Sequence, residues 1–309
     1  MLLTLNVNSI RDKLSPRGKK KPLEVVDVPQ HASQELGLHG LTLHTGLLAG
    51  ATRKVLEQLR DRGDKTGCAC LVLTETEPLG FGEAGDDAGE AAVGRMLKVV
   101  QAGSVLGCSS VALSIKARAD DVAFERVVER MRRVSELAER LEVNVLIAPH
   151  AGLTADPDQC TALIKKIGGF RVGTLPDFQT AVGTDDPAGY LRRLTPFASA
   201  VNATTVKFED PLPEDEPAKD EKKADDKAKD EPDEPLSGEE ALLAELESMF
   251  DEPPPPVHVT YDLEPLVGAV TAVGYDQTLA IDYRGVGDST LGVTQSRDAL
   301  EAALEAVAQ

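Results

Sequence analysis

The sequence lacks a long apolar run and a cysteine framework, and it contains only 5 histidines. The apolar start, Met1–Leu5, is interrupted by Asn6 and Asn8 well short of a signal-peptide core. The four cysteines, at positions 68, 70, 108 and 160, show no framework spacing, and a chain of 309 residues does not need covalent cross-links. We therefore expect a protein of the reducing cytoplasm with no membrane partner.

The net charge of −19 is concentrated in one segment. Residues 209–256 carry 19 acidic and 5 basic side chains, which leaves the rest of the chain with a net charge of only −5. Residues 209–235 have almost no apolar side chain to bury, so we predict that they are disordered. A capping box and apolar residues at helical spacing predict an amphipathic helix at 236–250, followed by a Pro-rich spacer at 251–256. This helix is expected to dock on the chain itself or on a protein partner.

Outside this segment, predicted strands alternate with predicted helices, beginning with a strand at Met1–Ile10. Residues that mark the helix ends recur every 26 to 40 residues, except for one interval of 77. Without the 48 residues 209–256, that interval is 29 residues, which matches the others. These markers are Gly37, Gly67, Gly107, Glu142, Gly168, Phe197 and Gly274. Eight such units predict an α/β fold of the (β/α)8 TIM barrel type, with eight parallel strands. Residues 1–208 and 257–309 would form its single domain, with the acidic insertion after strand seven.

In a parallel barrel the chemistry lies at the carboxyl ends of the strands, which meet at one mouth. Several predicted strands end on a side chain that can do chemistry: His44, Glu75, Lys116, His150, Asp177, Asn202, Asp282 and Arg284. Carboxylates, an imidazole and an amide oxygen together can bind a divalent cation. Each residue alone also fits a structural role, since Asp177 can cap a turn and Asp282 can pair with Arg284.

Four stretches resemble the xylose isomerase-like TIM barrels, a family of sugar phosphate isomerases and epimerases to which endonuclease IV is related. They are Ile147–His150, Gly173–Asp177, Val201-Asn202 and, as the most specific, Tyr261–Arg284. The resemblance covers residues 1–208 and 257–309. It implies a divalent metal bound by Glu, Asp, His and Glu at the ends of strands five to eight.

Only part of that implied ligand set is present. Asp177 matches the strand-six Asp, and Asp282 replaces the strand-eight Glu with a shorter carboxylate. Asn202 stands where the family has His, and Ala148 stands where it has the strand-five Glu. We therefore expect a divalent metal (Mg, Mn or Zn) to be bound weakly or not at all.

The resemblance implies proton transfer on a small-molecule sugar or sugar phosphate, with His150, Glu75 and Asp282 as candidate catalytic groups. Candidate metal ligands are Asp177, Asp282, Asn202 and His150, and candidate substrate-binding residues are His44, Lys116 and Arg284. One alternative is a non-catalytic carbohydrate-binding or regulatory barrel that acts through its acidic insertion. A nuclease like endonuclease IV is disfavoured, because 5 histidines are few for a trinuclear zinc site and the acidic segment would repel nucleic acid. The sequence leaves the oligomeric state open.

Overall fold

The computed structural model describes residues 1–15, 21–209 and 256–308. Eight of its strands run parallel in one curled sheet: β1 (Leu2–Asn6), β2 (Gly40–His44), β3 (Ala69–Thr74), β4 (Ser110–Ser114), β5 (Asn144–Ala148), β6 (Val172–Thr174), β7 (Ala200–Thr205) and β10 (Thr278–Tyr283). Their order is β6-β5-β4-β3-β2-β1-β10-β7. Isolated parallel bridges, Thr174↔Ala198 and Asp177↔Asn202, connect the two ends of this order. The predicted eight-stranded parallel barrel is confirmed.

Helices follow the strands around the sheet, as a (β/α)8 chain requires. They are α1 (Arg11–Leu14), α2 (Val28–Glu35), α3 (Arg53–Thr66), α4 (Asp86–Leu106), α5 (Asp121–Arg140), α6 (Pro157–Ile167), α7 (Phe178–Val182), α8 (Pro187–Leu194), α9 (Glu264–Thr271) and α10 (Ser289–Ala308). None of the helices in the described part of the chain is long and apolar enough to cross a membrane.

Two short strands, β8 (Phe208–Glu209) and β9 (Val257–His258), pair antiparallel just beyond the end of β7. They flank the acidic insertion. The predictions of disorder at 209–235, of a helix at 236–250 and of a Pro-rich spacer at 251–256 fall on residues 210–255, outside the described residues, except at Glu209, which lies in β8, and at Pro256.

Six of the seven predicted helix ends have left-handed backbone, and the exception, Phe197, ends a 3-10 turn over Thr195–Phe197. Gly37, Gly67, Gly107, Gly168 and Gly274 all have positive φ. Glu142 has φ 57° and is the one described non-glycine residue with a positive value. A residue in this conformation ends a helix and turns the chain toward the next strand, and glycine adopts it at the lowest cost. Apart from Phe197, the repeat recognised in the sequence is therefore a repeat of left-handed helix caps.

The first strand is shorter than predicted, and the difference concerns the site. It ends at Asn6, because the side-chain Oδ1 of Asn6 accepts a hydrogen bond from the backbone N–H of Asn8 at 3.1 Å. That contact starts a 3-10 turn over Val7–Ile10 instead of a longer strand. Asn6 consequently becomes a strand-end residue at the barrel mouth.

Successive side chains of each strand point alternately to the outer and the inner face of the sheet, because the period of a strand is two residues. Leu5, Ala203 and Ile281 pack outward in the main core, between the sheet and the helices. A second, smaller cluster of apolar residues lies on the other face, inside the barrel, and includes Val72, Ala112, Leu146, Leu175 and Ala200, with Ala148 packed against it. The main core fixes the helices on the sheet, whereas the inner face is where a site can form.

Candidate functional site

A cavity of about 530 Å³ opens at the carboxyl ends of four strands that are neighbours in the sheet. Residues of its wall include Asn6 of β1, His44 of β2, Asn202 of β7 and Asp282 of β10, together with Arg284 just beyond β10. The volume lies in the range of small-molecule sites, roughly 300–1,000 Å³. We call these four strand ends the polar side of the mouth, and the ends of β3, β4, β5 and β6 the apolar side.

Arg284 connects the carboxylates at two strand ends. Its Nη2 donates to Asp177 Oδ2 at 2.9 Å and to Asp282 Oδ2 at 2.6 Å, while its Nε donates to Asp282 Oδ2 at 2.9 Å. Its Nη1 donates to Gln179 Oε1 at 2.6 Å. Burial disfavours the charged guanidinium, but Asp177 and Asp282 together raise its pKa above the ordinary value. Arg284 is thus a fixed cation between two buried carboxylates.

The two carboxylates differ in what else they contact. Asp177 Oδ1 accepts from the backbone N–H of Thr180 at 2.8 Å and from its hydroxyl at 3.2 Å, and Asp177 Oδ2 also accepts from Thr204 Oγ1 at 2.6 Å. Asp177 therefore caps α7 and has both oxygens engaged. In Asp282 only Oδ2 is engaged, and no residue of the described ranges hydrogen-bonds Oδ1. Asp282 is the carboxylate with a free oxygen.

Burial raises the pKa of Asp282 above its ordinary value, even though Arg284 opposes the shift. The side chain is 7% exposed and lines the cavity. A carboxylate with a raised pKa is a stronger base, and a pKa nearer to neutrality suits general acid–base catalysis. Asp282 is therefore suited to accept a proton from a ligand in the cavity.

His44 is neutral at physiological pH, and the hydrogen bonds around it fix its tautomer. Its Nε2 lies 3.0 Å from Asn6 Oδ1. That oxygen already accepts from the backbone N–H of Asn8, so it is an acceptor and Nε2 must donate. Burial, aided by the charge of Arg284, lowers the pKa of His44 to about 4. The Nδ1 atom then carries a lone pair that can accept a hydrogen bond from a ligand.

Asn202 contributes a buried acceptor without a partner. Its Oδ1 is buried and has no hydrogen bond among the described residues. A buried oxygen left unpaired costs free energy, so such atoms mark places where a ligand or water completes the hydrogen bonding. Asn202 lines the same cavity as Asp282 and His44. A ligand rich in hydroxyl groups would satisfy all three.

The end of β7 is braced by the chain that follows the acidic insertion. Tyr261 donates its hydroxyl hydrogen bond to the backbone oxygen of Thr204. His258 accepts at Nε2 from the backbone N–H of Val206 at 3.0 Å, so its Nδ1–H donates to the backbone oxygen of Tyr261 at 2.7 Å. Burial lowers the pKa of His258, in keeping with this neutral form. These contacts fix the backbone that carries Asn202 and Thr204.

Three of the residues singled out in the sequence lie apart from the cavity. Glu75 is buried beside α4, where its Oε2 accepts from Arg95 Nε at 2.6 Å and its Oε1 from Thr45 Oγ1 at 3.1 Å. Lys116 is exposed and pairs with Glu83 at 3.2 Å. His150 is half-buried and does not line the cavity, although its backbone hydrogen-bonds Thr154. The roles assigned to these three stay predictions.

The donor set does not fit a divalent metal. Ala148 ends β5 without a ligand atom, and it packs against the apolar cluster inside the barrel. Asp177 has both oxygens occupied, and the space between Asp177 and Asp282 is bridged by Arg284. Throughout the described ranges, no group of three or more His, Cys, Asp and Glu side chains is placed to bind a metal ion. We therefore derive no step through a metal.

Sequence reasoning missed Asn6, Gln179 and Tyr261. The signal for Asn6 was its position at a strand end, which the overlong first strand concealed. Gln179 lies in the first turn of α7, and Tyr261 precedes α9, so neither stands at a strand end. Tyr261 does fall in the stretch that carries the strongest family resemblance, and that was the only sequence signal for it.

Comparison with protein families gives one match that spans most of the chain. The family described as "Xylose isomerase-like TIM barrel" matches residues 31–306. A comparison with curated proteins finds no match.

Solved structures with a similar fold include several sugar enzymes. L-ribulose 3-epimerase is 12% identical, with a TM-score of 0.67 over 92% of this chain and 90% of that one. The apo form of 3-keto-D-glucoside 4-epimerase, YcjR, from E. coli is 12% identical, with a TM-score of 0.64 over 98% of both chains. The IOLI protein with a bound zinc atom is 11% identical, with a TM-score of 0.67 over 99% of both chains. At such identities the likeness establishes the fold alone.

Proposed function

We propose, from the premise that this chain belongs to the xylose isomerase-like TIM barrel family, that it is an isomerase or epimerase that binds a sugar at the polar side of its mouth and moves a proton with Asp282. The observation that carries the proposal is the geometry of Asp282. One oxygen is fixed by Arg284, and the other is free in a cavity of sugar size. The sugar enzymes of similar fold support the same substrate class.

The charges around the cavity favour a neutral sugar over a sugar phosphate. Arg11 and Arg284 are its arginines, while Asp12, Asp282 and the adjacent Asp177 are carboxylates. Arg284 is already shared by two carboxylates, so little positive charge is left to attract a phosphate. Amide, imidazole and carboxylate groups instead offer hydrogen bonds to hydroxyls.

In the proposed step, Asp282 Oδ1 accepts a proton from the carbon next to the sugar carbonyl. The carbon's electron pair forms a carbon–carbon double bond as the carbonyl electrons move onto its oxygen, which gives an enediolate. Asp282 then returns the proton to the former carbonyl carbon while the hydroxyl proton passes to the enediolate oxygen, which completes an aldose–ketose isomerisation. Epimerisation would instead need a second acid that delivers the proton to the opposite face of the first carbon. Asn202 and His44 orient the substrate by accepting hydrogen bonds from its hydroxyls. Weak or absent binding of a divalent metal stays our prediction, and the step uses none.

The test is solvent deuterium exchange, followed by proton NMR with the full chain in D₂O. Neutral ketoses and aldoses are compared with their phosphate esters. We expect exchange next to the carbonyl of at least one neutral sugar and a loss of roughly 10²-fold or more in Asp282→Asn. The exposed Asp61, which makes no hydrogen bond or ion pair in the described chain, provides the matched control Asp61→Asn, which should leave the rate unchanged.

Two outcomes would contradict parts of this proposal. Exchange that survives Asp282→Asn would remove Asp282 as the base. Saturable sugar binding without exchange would favour the alternative, a non-catalytic carbohydrate-binding barrel. The absence of a carboxylate at Ala148, the end of strand five, is an observation that favours this alternative.

A further inference from the structure

Two carboxylates from different strand ends meet at one nitrogen of the chain itself. Asp177 ends the segment after β6, and Asp282 belongs to β10, 105 positions further along the chain. Arg284 Nη2 lies within 2.9 Å of Asp177 Oδ2 and 2.6 Å of Asp282 Oδ2. The side chains of Asp177 and Asp282 are 10% and 7% exposed, so the pair of charges is largely withdrawn from water. Two buried carboxylates this close to one point need a cation or a shared proton between them, and here the guanidinium of Arg284 supplies the cation.

We propose that the guanidinium of Arg284 is the resident cation of this mouth, in the position between Asp177 and Asp282 that a divalent metal would otherwise occupy. The inference stands on this geometry and does not depend on the proposed substrate.

Hydrogen bonding shows why a metal would have to displace Arg284. Asp177 Oδ2 already accepts from Thr204 Oγ1 at 2.6 Å and from Arg284, and Asp177 Oδ1 accepts twice from Thr180. An ion entering between the carboxylates would break the Arg284 contacts and then meet an adjacent positive charge. The repulsion is strong where water is excluded, because the effective dielectric constant there is low.

Arg284 is also fixed from its other side, so its position is not a chance rotamer. Nη1 donates to Gln179 Oε1 at 2.6 Å, which holds the guanidinium against the first turn of α7. A planar fork with several directed hydrogen bonds has a set orientation that an ammonium group lacks. A cation supplied by the chain is present in every molecule and cannot be removed by a chelator.

Removal of this arginine should turn the mouth into a metal site. Without Arg284, Asp177 and Asp282 would face each other with no cation, and the unpartnered Asn202 Oδ1 lies on the same part of the wall. Two carboxylates and an amide oxygen are hard oxygen ligands that suit Mn²⁺ and Mg²⁺. The same substitution at another buried carboxylate–arginine pair, Glu75 with Arg95, would leave a single carboxylate.

The experiment is calorimetric titration of Mn²⁺ into chelator-treated full-length protein. Arg284→Gln should gain one site at least tenfold tighter than any site of the wild type, and Arg284→Gln/Asp177→Asn should lose it. Arg95→Gln is the matched control, and it should gain nothing. All variants carry the same acidic residues 209–256, so weak binding there cancels in the comparison.

Arg284→Lys separates charge from shape. It keeps a positive charge, so we expect it to exclude Mn²⁺ as the wild type does. Mn²⁺ binding by Arg284→Lys as tight as by Arg284→Gln would overturn the proposal, and so would the absence of any gain in a folded Arg284→Gln.

If Arg284→Gln does not fold, metal binding by the wild type and by Asp177→Asn still tests the proposal. Stoichiometric metal that is retained by purified wild type and lost in Asp177→Asn would show that the carboxylates bind a metal despite Arg284. Wild type and Asp177→Asn with the same weak Mn²⁺ binding would support Arg284 as the cation.

Discussion

The two sides of the barrel mouth are built from the same repeated unit but differ in chemistry. On the apolar side, Ala112, Leu146 and Ala148 from β4 and β5 belong to a dry cluster inside the barrel. On the polar side, Asn202 and Asp282 occupy the equivalent inward-facing places of β7 and β10 and line a cavity of about 530 Å³. One half of the interior stabilises the barrel, and the other half is free to bind a ligand.

The same contrast holds for the two buried carboxylate–arginine contacts at the strand ends. Glu75 accepts hydrogen bonds from Arg95 and Thr45 beside α4, so its oxygens are used within the fold. Asp282 shares Arg284 with Asp177 and keeps one oxygen uncommitted. Burial of a charged group at a strand end is thus not enough to identify a functional residue, and the free oxygen is what distinguishes Asp282.

The sharpest test of the comparison is to shorten one inward-facing residue on each side. Leu146 is fully buried, so Leu146→Ala should lower the free energy of unfolding by about 2–5 kcal/mol through lost burial and the cavity that remains. Asn202→Ala removes an oxygen that has no partner, so it should change that free energy by less than about 1 kcal/mol. Urea denaturation measures both. Equal losses would mean that the polar side is as much a structural core as the apolar side.

A smaller difference is expected between the two arginines. Arg284→Gln leaves two buried carboxylates without a cation and should cost about 2–4 kcal/mol, less than a fully buried pair because Arg284 is 43% exposed. Arg95→Gln leaves one carboxylate that Thr45 and Thr76 still hydrogen-bond, so about 1–2 kcal/mol is expected. Denaturation with a chelator present measures the two losses. A larger loss in Arg95→Gln would reverse our ranking of the two contacts.

The third prediction uses pH and concerns the polar side alone. The pKa of His44 is about 4 in the folded protein, below the ordinary value of 6.5 for histidine, so between these two pH values the unfolded chain binds a proton that the folded chain does not. The contribution of His44 to the free energy of unfolding is fully present above pH 6.5. It is lost as the pH falls toward 4, by up to about 3 kcal/mol. His44→Gln should flatten this part of the stability curve, and the exposed His39→Gln is the control.

Denaturation series between pH 7 and pH 4 measure this effect. The pKa of His258 is also lowered and contributes in the same direction, so the difference between wild type and His44→Gln isolates His44. Parallel curves for the two proteins would show that His44 titrates normally and is not buried against Asn6.

Much of the architecture was accessible from the sequence, because barrel geometry depends on local signals. Helix ends marked by Gly67, Gly107 and Glu142 adopt the left-handed backbone that the spacing required. The strand ends also placed five of the eight selected residues around one cavity or its Arg284 cluster: His44, Asp177, Asn202, Asp282 and Arg284.

The remainder of the site depended on orientation and on distant partners. Glu75 and His150 stand near strand ends, yet neither lines the cavity. In β3, Val72 lies inside the barrel, so Glu75, three residues further on, falls on the other face. His150 lies in the loop beyond the end of β5, on the apolar side of the mouth. The first strand ended early because the side-chain oxygen of Asn6 accepts a hydrogen bond from the backbone N–H of Asn8, two residues further on.

The sequence by itself determined the barrel, its eight units and which polar residues stand at the ends of the strands. These features follow from periodicity and helix caps, which act over a few neighbouring residues. Only the tertiary structure decided which groups meet. Asp177 and Arg284 are separated by 107 residues and lie 2.9 Å apart, in a contact that no local pattern specifies. That contact places a guanidinium where the sequence suggested a metal, because the closed sheet brings the end of β10 next to the segment after β6.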